Sequence, residues 1–144
     1  MSIIYLAGLD GSDESIRAAT YAARQTDQNG AKLILAHAIE WSGFDVLGPE
    51  ELAERHKVKA LEIERAQTKI IHPMVASLAE LGLDIEVIVH HGHAAQTLLT
   101  LAQDNKVQHI FIGRNSASRL AIAIVGSTTN SIIQASPVPI TVVP

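Results

Sequence analysis

Residues 107–143, VQHIFIGRNSASRLAIAIVGSTTNSIIQASPVPITVV, decide the fold. Val107 to Ile112 is a short run rich in β-branched residues, bounded by polar and turn residues, which suits a strand covered on both faces. Ile132, Ile133 and Ala135 mark a helical stripe, and Ile140 to Val143 is a second β-rich run closing the chain. Strand, helix and strand in this order form a crossover unit with parallel strands. From Leu120 to Pro144 there is no charged residue, so this stretch could pass for a membrane span on charge alone. Ser127, Thr128, Thr129, Asn130, Ser131, Gln134, Ser136, Pro137 and Pro139 interrupt it. The roughly 20 consecutive apolar residues that a span needs never occur.

The same alternation continues towards the N-terminus. Ile3 to Leu6, Leu33 to Ile39 and Ile85 to Val89 read as further buried strands. Between them Ile16, Ala19, Thr20 and Ala23 fall at helical spacing, with Ser12 or Asp13 as N-cap. Ile71, Met74, Val75 and Leu78 repeat that spacing, and Leu98, Leu101 and Ala102 mark another stripe. Pro49 suits the first turn of a long helical segment, and Pro73 should kink or split it. The expectation is one α/β domain over residues 1–144, with an open, mostly parallel five-stranded sheet and helices on both faces.

Composition removes several function classes. Hydrophobic residues make up 47% and charged residues 18% of the 144, which excludes intrinsic disorder. A net charge of −4, with no basic cluster, argues against nucleic acid as a partner. Zero cysteines exclude disulfides, thiolate zinc sites and cysteine nucleophiles. The start, MSIIYLAGLDG, lacks a basic region and its apolar run stops at Asp10, so no signal peptide is expected. A soluble, cytoplasmic protein without membrane insertion is the expectation.

In open α/β sheets, ligands bind beyond the carboxyl ends of the strands. Three segments reach that edge: Gly8 to Ser12, His37 to Ile39, and the stretch opening at Gly113. Gly126-Ser127-Thr128-Thr129 opens the last helix without a carboxylate, so its amides, hydroxyls and dipole could seat a phosphate. Ser127 could equally be only a helix cap. Asp13 and Glu14, by contrast, fill the opening turn of the first helix and would repel phosphate.

Gly113, two residues, Ser116, nine residues and then Gly126-Ser127 resembles the G-x2-G-x9-G-(S/T) motif of ATP-binding universal stress proteins. The segments GLDGSDES, LILAHAIE and SPVPITVV resemble that family's first, second and closing strands, so the resemblance covers nearly the whole chain. It implies a Rossmann-like universal stress protein fold and ATP, with Mg2+, at the sheet edge. Asp10 would then sit by the adenosine, Ala38 would line the adenine pocket, and Gly113 would admit the ribose and phosphates. Gly126, Ser127 and Thr128 would hold the phosphate tail. With their neighbours, the candidate cofactor-binding residues are Gly8, Leu9, Asp10, Ala38, Ile112, Gly113, Arg114, Ser116, Gly126, Ser127 and Thr128. The resemblance also implies a homodimer, for which the uncharged strand 138–143 is the candidate edge. Three positions depart from the pattern: Ser116 for the second glycine, Ala94 for a proline, and His109 for an aspartate.

A competing motif is His90-His91-Gly92-His93, which matches the H-x-G-H of nucleotidyltransferases. In those enzymes the motif follows the first strand, here it follows a later one, and no companion lysine-serine motif lies downstream. His91 and His93 could alternatively ligate a metal if folding supplied a third ligand. His37, inside an apolar strand, reads as a hydrogen-bonded core residue. Asp10 has a structural reading as well, as a cap for the helix starting near Ser12. Arg114 and Arg119 could clamp phosphates or be solvated. A dinucleotide fingerprint, a P-loop and a nucleophile elbow are all missing, so no catalytic residue is assigned. The chain reads as a binding or regulatory protein, with nucleotide-free dimeric interaction as the alternative.

Overall fold

A computed structural model describes residues 2–40, 49–114 and 126–144. The strands are β1 (Ile4–Gly8), β2 (Lys32–Ile39), β3 (Ile85–His91), β4 (His109–Gly113) and β5 (Ile140–Val143). The helices are α1 (Asp13–Asn29), α2 (Pro49–Ala66), α3 (His72–Ser77), α4 (Ala94–Asp104) and α5 (Ser127–Ala135). The strands form one sheet in the order β3-β2-β1-β4-β5, and every neighbouring pair is parallel. This is the expected five-stranded α/β architecture. Because β1 lies between β2 and β4, the chain winds outward from it in both directions, and the strand order switches there.

Two cores follow from this layering. On one face Leu33, Leu35 and Phe111 pack with Ala19, Ala22 and Ala23 of α1 and with Ile71, Met74 and Leu78. On the other, Leu6, Ile34 and Ile110 pack with Leu98, Leu101 and Ala102 of α4 and with Ile132 of α5. The expected stripe around α3 is buried at Ile71, Met74 and Leu78 and partly buried at Val75, and that on α4 is buried as read. Those on α1 and α5 are buried only in part.

On α1 the buried residues are Glu14, Ser15, Ala18, Ala19, Ala22, Ala23 and Thr26, while Ile16 is 42% exposed. Small side chains let this helix lie close to the sheet, and the larger Ile16 would hold it away. On α5 only Ile132 of the expected stripe is buried, Ile133 being 49% exposed and Ala135 exposed. Thr129 shares the buried face, donating its hydroxyl to the Gly113 carbonyl at 2.7 Å. A polar residue there is satisfied by the end of β4, which hydropathy spacing does not reveal.

Pro73 splits the long helical segment as expected. Between α2 and α3 lies a π-helical turn, Gln67–Ile71, in which the His72 amide donates to the Gln67 carbonyl. Proline has no N–H and its ring crowds the carbonyl four residues back, so the widened turn absorbs the misfit.

His109 occupies the junction of β4 with the edge strand β5. Its ring stacks on Phe111 at 4.6 Å and meets Tyr5 edge-on at 6.0 Å. Its Nε2 lies 2.7 Å from the Thr141 hydroxyl. Burial holds its pKa below the ordinary value of 6.5, because desolvation disfavours the imidazolium.

Two predictions follow from this packing. Ile132→Ala should destabilise the fold by about 2–5 kcal/mol in urea titration, whereas Ile16→Ala should change it by about 0.5 kcal/mol or less. A similar loss in both variants would mean that the burial assigned here is wrong. For His109, the unfolded chain takes up its proton at a higher pH than the folded one. Its contribution is therefore complete above pH 6.5 and falls as pH drops towards the lowered folded value. Stability measured from pH 8 to pH 5 should decline less steeply in His109→Gln than in the parent.

Candidate functional site

The carboxyl ends of β1, β2 and β4 meet the starts of α4 and α5 around a solvent-open cleft of about 450 Å³, its mouth included. Gly8, Leu9, Asp10, Ser15, Ala36, Ala38, Ala94, Leu98, Ile112, Gly113, Thr128 and Thr129 line it. Seven of the candidate residues are thus brought together: Gly8, Leu9, Asp10, Ala38, Ile112, Gly113 and Thr128. Arg114, Gly126 and Ser127 stand at its border without lining it, and Ser116 lies outside the described residues. Ser15, Ala36, Ala94 and Leu98 were missed, and Thr129 was read in the helix start but not among the candidate residues. Leu98 reads as core from its spacing, and Ala94 reaches the cleft only because α4 crosses over it.

The β1–α1 loop is held by its own polar groups. The Leu9 amide donates to the Ala36 carbonyl at 2.8 Å, and the Leu9 carbonyl lies 2.6 Å from His37 Nδ1. A carbonyl only accepts, so the proton of that imidazole bond belongs to Nδ1. His37 is therefore a hydrogen-bonded structural residue, as expected. Asp10 Oδ1 accepts the Ser12 amide at 2.9 Å, and the Asp10 amide donates to Ser15 Oγ at 3.2 Å. Ser12 is the N-cap of α1, its Oγ accepting the Ser15 amide. Asp10 thus braces the cap while lining the cleft, so both of its readings have a structural basis.

Gly113 is required by the helix beside it. A Cβ there would stand 2.8 Å from the Glu14 carbonyl carbon and 2.9 Å from the Ser15 nitrogen. Space on the α1 side therefore demands glycine whatever occupies the cleft. Gly8 is less constrained, since its Cβ would meet only the Leu98 Cδ1 methyl at 3.0 Å.

Three helix N-termini lie near this edge, and they differ electrostatically. Asp13 and Glu14 occupy the first turn of α1. At α4 the Ala94 amide donates to the Glu40 carboxylate at 2.8 Å. The first turn of α5 holds no acidic residue, and no side chain among the described residues caps it. Its N-cap is Gly126, so the reading of Ser127 as the cap is corrected: Ser127 is the first helical residue, and its side chain is exposed. Of the three, α5 is the one whose positive dipole end meets no carboxylate in its first turn or cap among the described residues. Its base is tied to the sheet, as the Gly126 amide donates to the Arg114 carbonyl and the Arg114 amide to the Val143 carbonyl.

The histidine motif adjoins the cleft without lining it. His90 and His91 end the edge strand β3, and none of His90, His91 and His93 lines the cleft. His91 Nε2 is 3.1 Å from Glu62 of α2. Among the described residues no three histidine or carboxylate side chains converge as metal ligands. The third ligand that His91 and His93 would require is not supplied there.

A parallel α/β sheet with an open cleft at its switch point defines a broad structural class, which sequence comparison narrows. The model of the universal stress protein family matches residues 4–144, and the chain belongs to that family. It is 26% identical over 145 residues to the universal stress protein YxiE of Bacillus subtilis, covering 96% of both chains. It is also 26% identical over 141 residues to the uncharacterized protein C167.05 of Schizosaccharomyces pombe, covering 96% of this chain but only 22% of that longer protein. Among solved structures, the universal stress protein UspA from Lactobacillus plantarum superimposes with a TM-score of 0.80 at 20% identity, covering 99% and 97% of the two chains. A universal stress protein in complex with cAMP gives 0.68 at 23% identity, with 99% and 97% coverage. One from Archaeoglobus fulgidus in complex with dAMP gives 0.63 at 16%, with 100% and 98% coverage. At these identities the superpositions establish the shared fold.

Gly113→Ala should lower stability by about 1–3 kcal/mol, because backbone atoms of α1 must move to admit the methyl group. Gly8→Ala should cost less, since the end of a leucine side chain can yield. Urea midpoints of the two variants test this order, and equal losses would remove the assigned contact.

Proposed function

We propose that this chain binds an adenine nucleotide, ATP with Mg2+, in the sheet-edge cleft, and that it acts in the cytoplasm by binding rather than catalysis. The observation that carries this reading is the start of α5: an acid-free helix N-terminus, uncapped by any side chain among the described residues, bordering a cleft that is otherwise mostly apolar. Leu9, Ala36, Ala38, Leu98 and Ile112 offer walls for a planar base. Asp10, whose Oδ1 already accepts an amide, retains acceptor capacity for a ribose hydroxyl. Gly126, Ser127 and Thr128 would hold the phosphates through amides and hydroxyls, with Ser116 and Arg114 as further donors. Mg2+ would neutralise the phosphates. The relatives solved with cAMP and dAMP support an adenine nucleotide as the ligand class.

Occupation of α5 would bias the surface that partners meet, through the differential affinity of the bound and free forms. The proposed homodimer pairs residues 138–143 of two copies. In support, β5 is an edge strand, its residues are half-buried, and none of them is charged. Ser116 favours a second reading, a nucleotide-free dimeric module, because a Cβ there hinders the approach that glycine allows. A nucleotidyltransferase using His90 and His93 is the weakest alternative, as neither histidine lines the cleft.

A thermal melt with and without Mg-ATP tests the proposal. At 100 times its Kd a ligand adds about 2.7 kcal/mol, which should raise Tm by roughly 5–10 °C for a domain of this size. An unchanged Tm at millimolar Mg-ATP would overturn the nucleotide reading and leave the dimeric module.

A further inference from the structure

We propose that α2 is a self-association surface, on which a second copy of this chain docks antiparallel about a two-fold axis. This surface is distinct from the C-terminal strand. α2 packs against β2 and β3, at the end of the sheet opposite β5. Its inward side is marked by the partly buried Arg55, Lys59, Glu62 and Ile63 and the buried Ala66. Centred about 110° away around the helix runs an exposed stripe: Glu54, Val58, Leu61 and Arg65. At 3.6 residues per turn these four fall within about 60° of one another. Val58 is 46% and Leu61 is 49% exposed, so two branched apolar side chains face solvent side by side.

The occupant is indicated by charge order along the stripe. It reads acidic, apolar, apolar, basic, and that order is complementary to itself when reversed. Turning one helix end for end about a point between Lys59 and Ala60 sets Val58 against Leu61 of the other copy. The same operation sets Glu54 against Arg65, twice over, as an isologous interface requires. Lys57 and Glu64, both exposed on one flank of the stripe, come opposite each other with an axial offset of about 3 Å. A foreign partner would have no reason to match this internal symmetry. The apolar pair supplies contact area, and the charges select antiparallel over parallel pairing. A contact of one helix against one helix is small, so the association is weak and reversible.

Charge reversal with cross-rescue tests the proposal. Glu54→Arg places Arg against Arg65 of the other copy at both ends of the interface, and Arg65→Glu places Glu against Glu54. Each single variant should weaken self-association through α2 about tenfold or more, read by concentration-dependent sedimentation velocity at low salt. Mixing the two singles should restore it, because the mixed pair is oppositely charged at both contacts. The double variant Glu54→Arg/Arg65→Glu should also self-associate as the parent does. Residues 54 and 65 are three turns apart on one helix, so rescue cannot arise within one copy. All four side chains are exposed, and matching thermal melts would exclude a folding defect. The proposal is overturned if both singles sediment as the parent does, or if they are weakened and neither the mixture nor the double variant recovers. Association through 138–143 would respond to none of these substitutions, so a parent that associates by that strand alone gives the first overturning result.

Discussion

No side chain larger than hydrogen fits at position 113, and the rest of the site depends on that contact. The first turn of α1 lies so near the end of β4 that a Cβ would stand under 3 Å from its backbone. Such an approach is possible because α1 turns Ala18, Ala19, Ala22 and Ala23 towards the sheet, all of them fully buried. Leucines on that face would raise the helix by the thickness of a side chain and part the β1–α1 loop from β4. The alanine face and the glycine are one packing solution seen from its two sides.

Close packing also explains where the polar groups go. With α1 held down, Ser15 Oγ reaches the Asp10 amide and donates to the Ser12 carbonyl, while Asp10 braces Ser12 in turn. The loop is therefore shaped by hydrogen bonds that exist without any ligand. Across the cleft, Thr129 ties α5 to the Gly113 carbonyl. One wall is bonded to the short end of β4 and the other packs against it at Gly113, so the cleft is built on a rigid base. Its electrostatics follow from which helix starts are already satisfied. Two have carboxylates, and the third has hydroxyls.

The fold was legible because parallel strands buried on both faces must be continuous and β-branched, and these runs are, although the edge strands β3 and β5 are only half-buried, against the reading of them as buried. Ile140 to Val143 is read to the residue, while β1 and β4 begin later than their runs, at Ile4 and His109, β2 begins one residue earlier, at Lys32, and β1, β3 and β4 extend beyond the runs through Ala7 and Gly8, His90 and His91, and Gly113. Those additions are small or polar, so hydropathy does not announce them. The inward face of α1 was read only in part, Ala19 and Ala23 being buried and Ile16 exposed, for a related reason. Spacing arguments reward the largest apolar residue, and here the tight contact required the smallest. Of the cleft, the positions on strand ends and on the α5 start were legible from the switch-point rule and the family motif. Ala94 and Leu98 were not, because they arrive by a helix crossing that no local pattern encodes. His37 was legible, since a lone polar ring in an apolar strand must find a partner, and Leu9 supplies it.

The sheet order places the cleft over its middle and leaves β3 and β5 as its two edges. A ligand at the centre and partners at the edges would thus not compete for the same surface. They are not mechanically separate, however. The Arg114 backbone bonds forward to Gly126 at the start of α5 and sideways to Val143 at the end of β5. A shift of the α5 start that preserved these bonds would have to carry the end of the edge strand with it. The helix that the sequence leaves without an acid and the strand that it leaves without a charge are therefore joined at one residue. In this fold, coupling between the cleft and the β5 edge needs no long relay, only that two backbone hydrogen bonds persist.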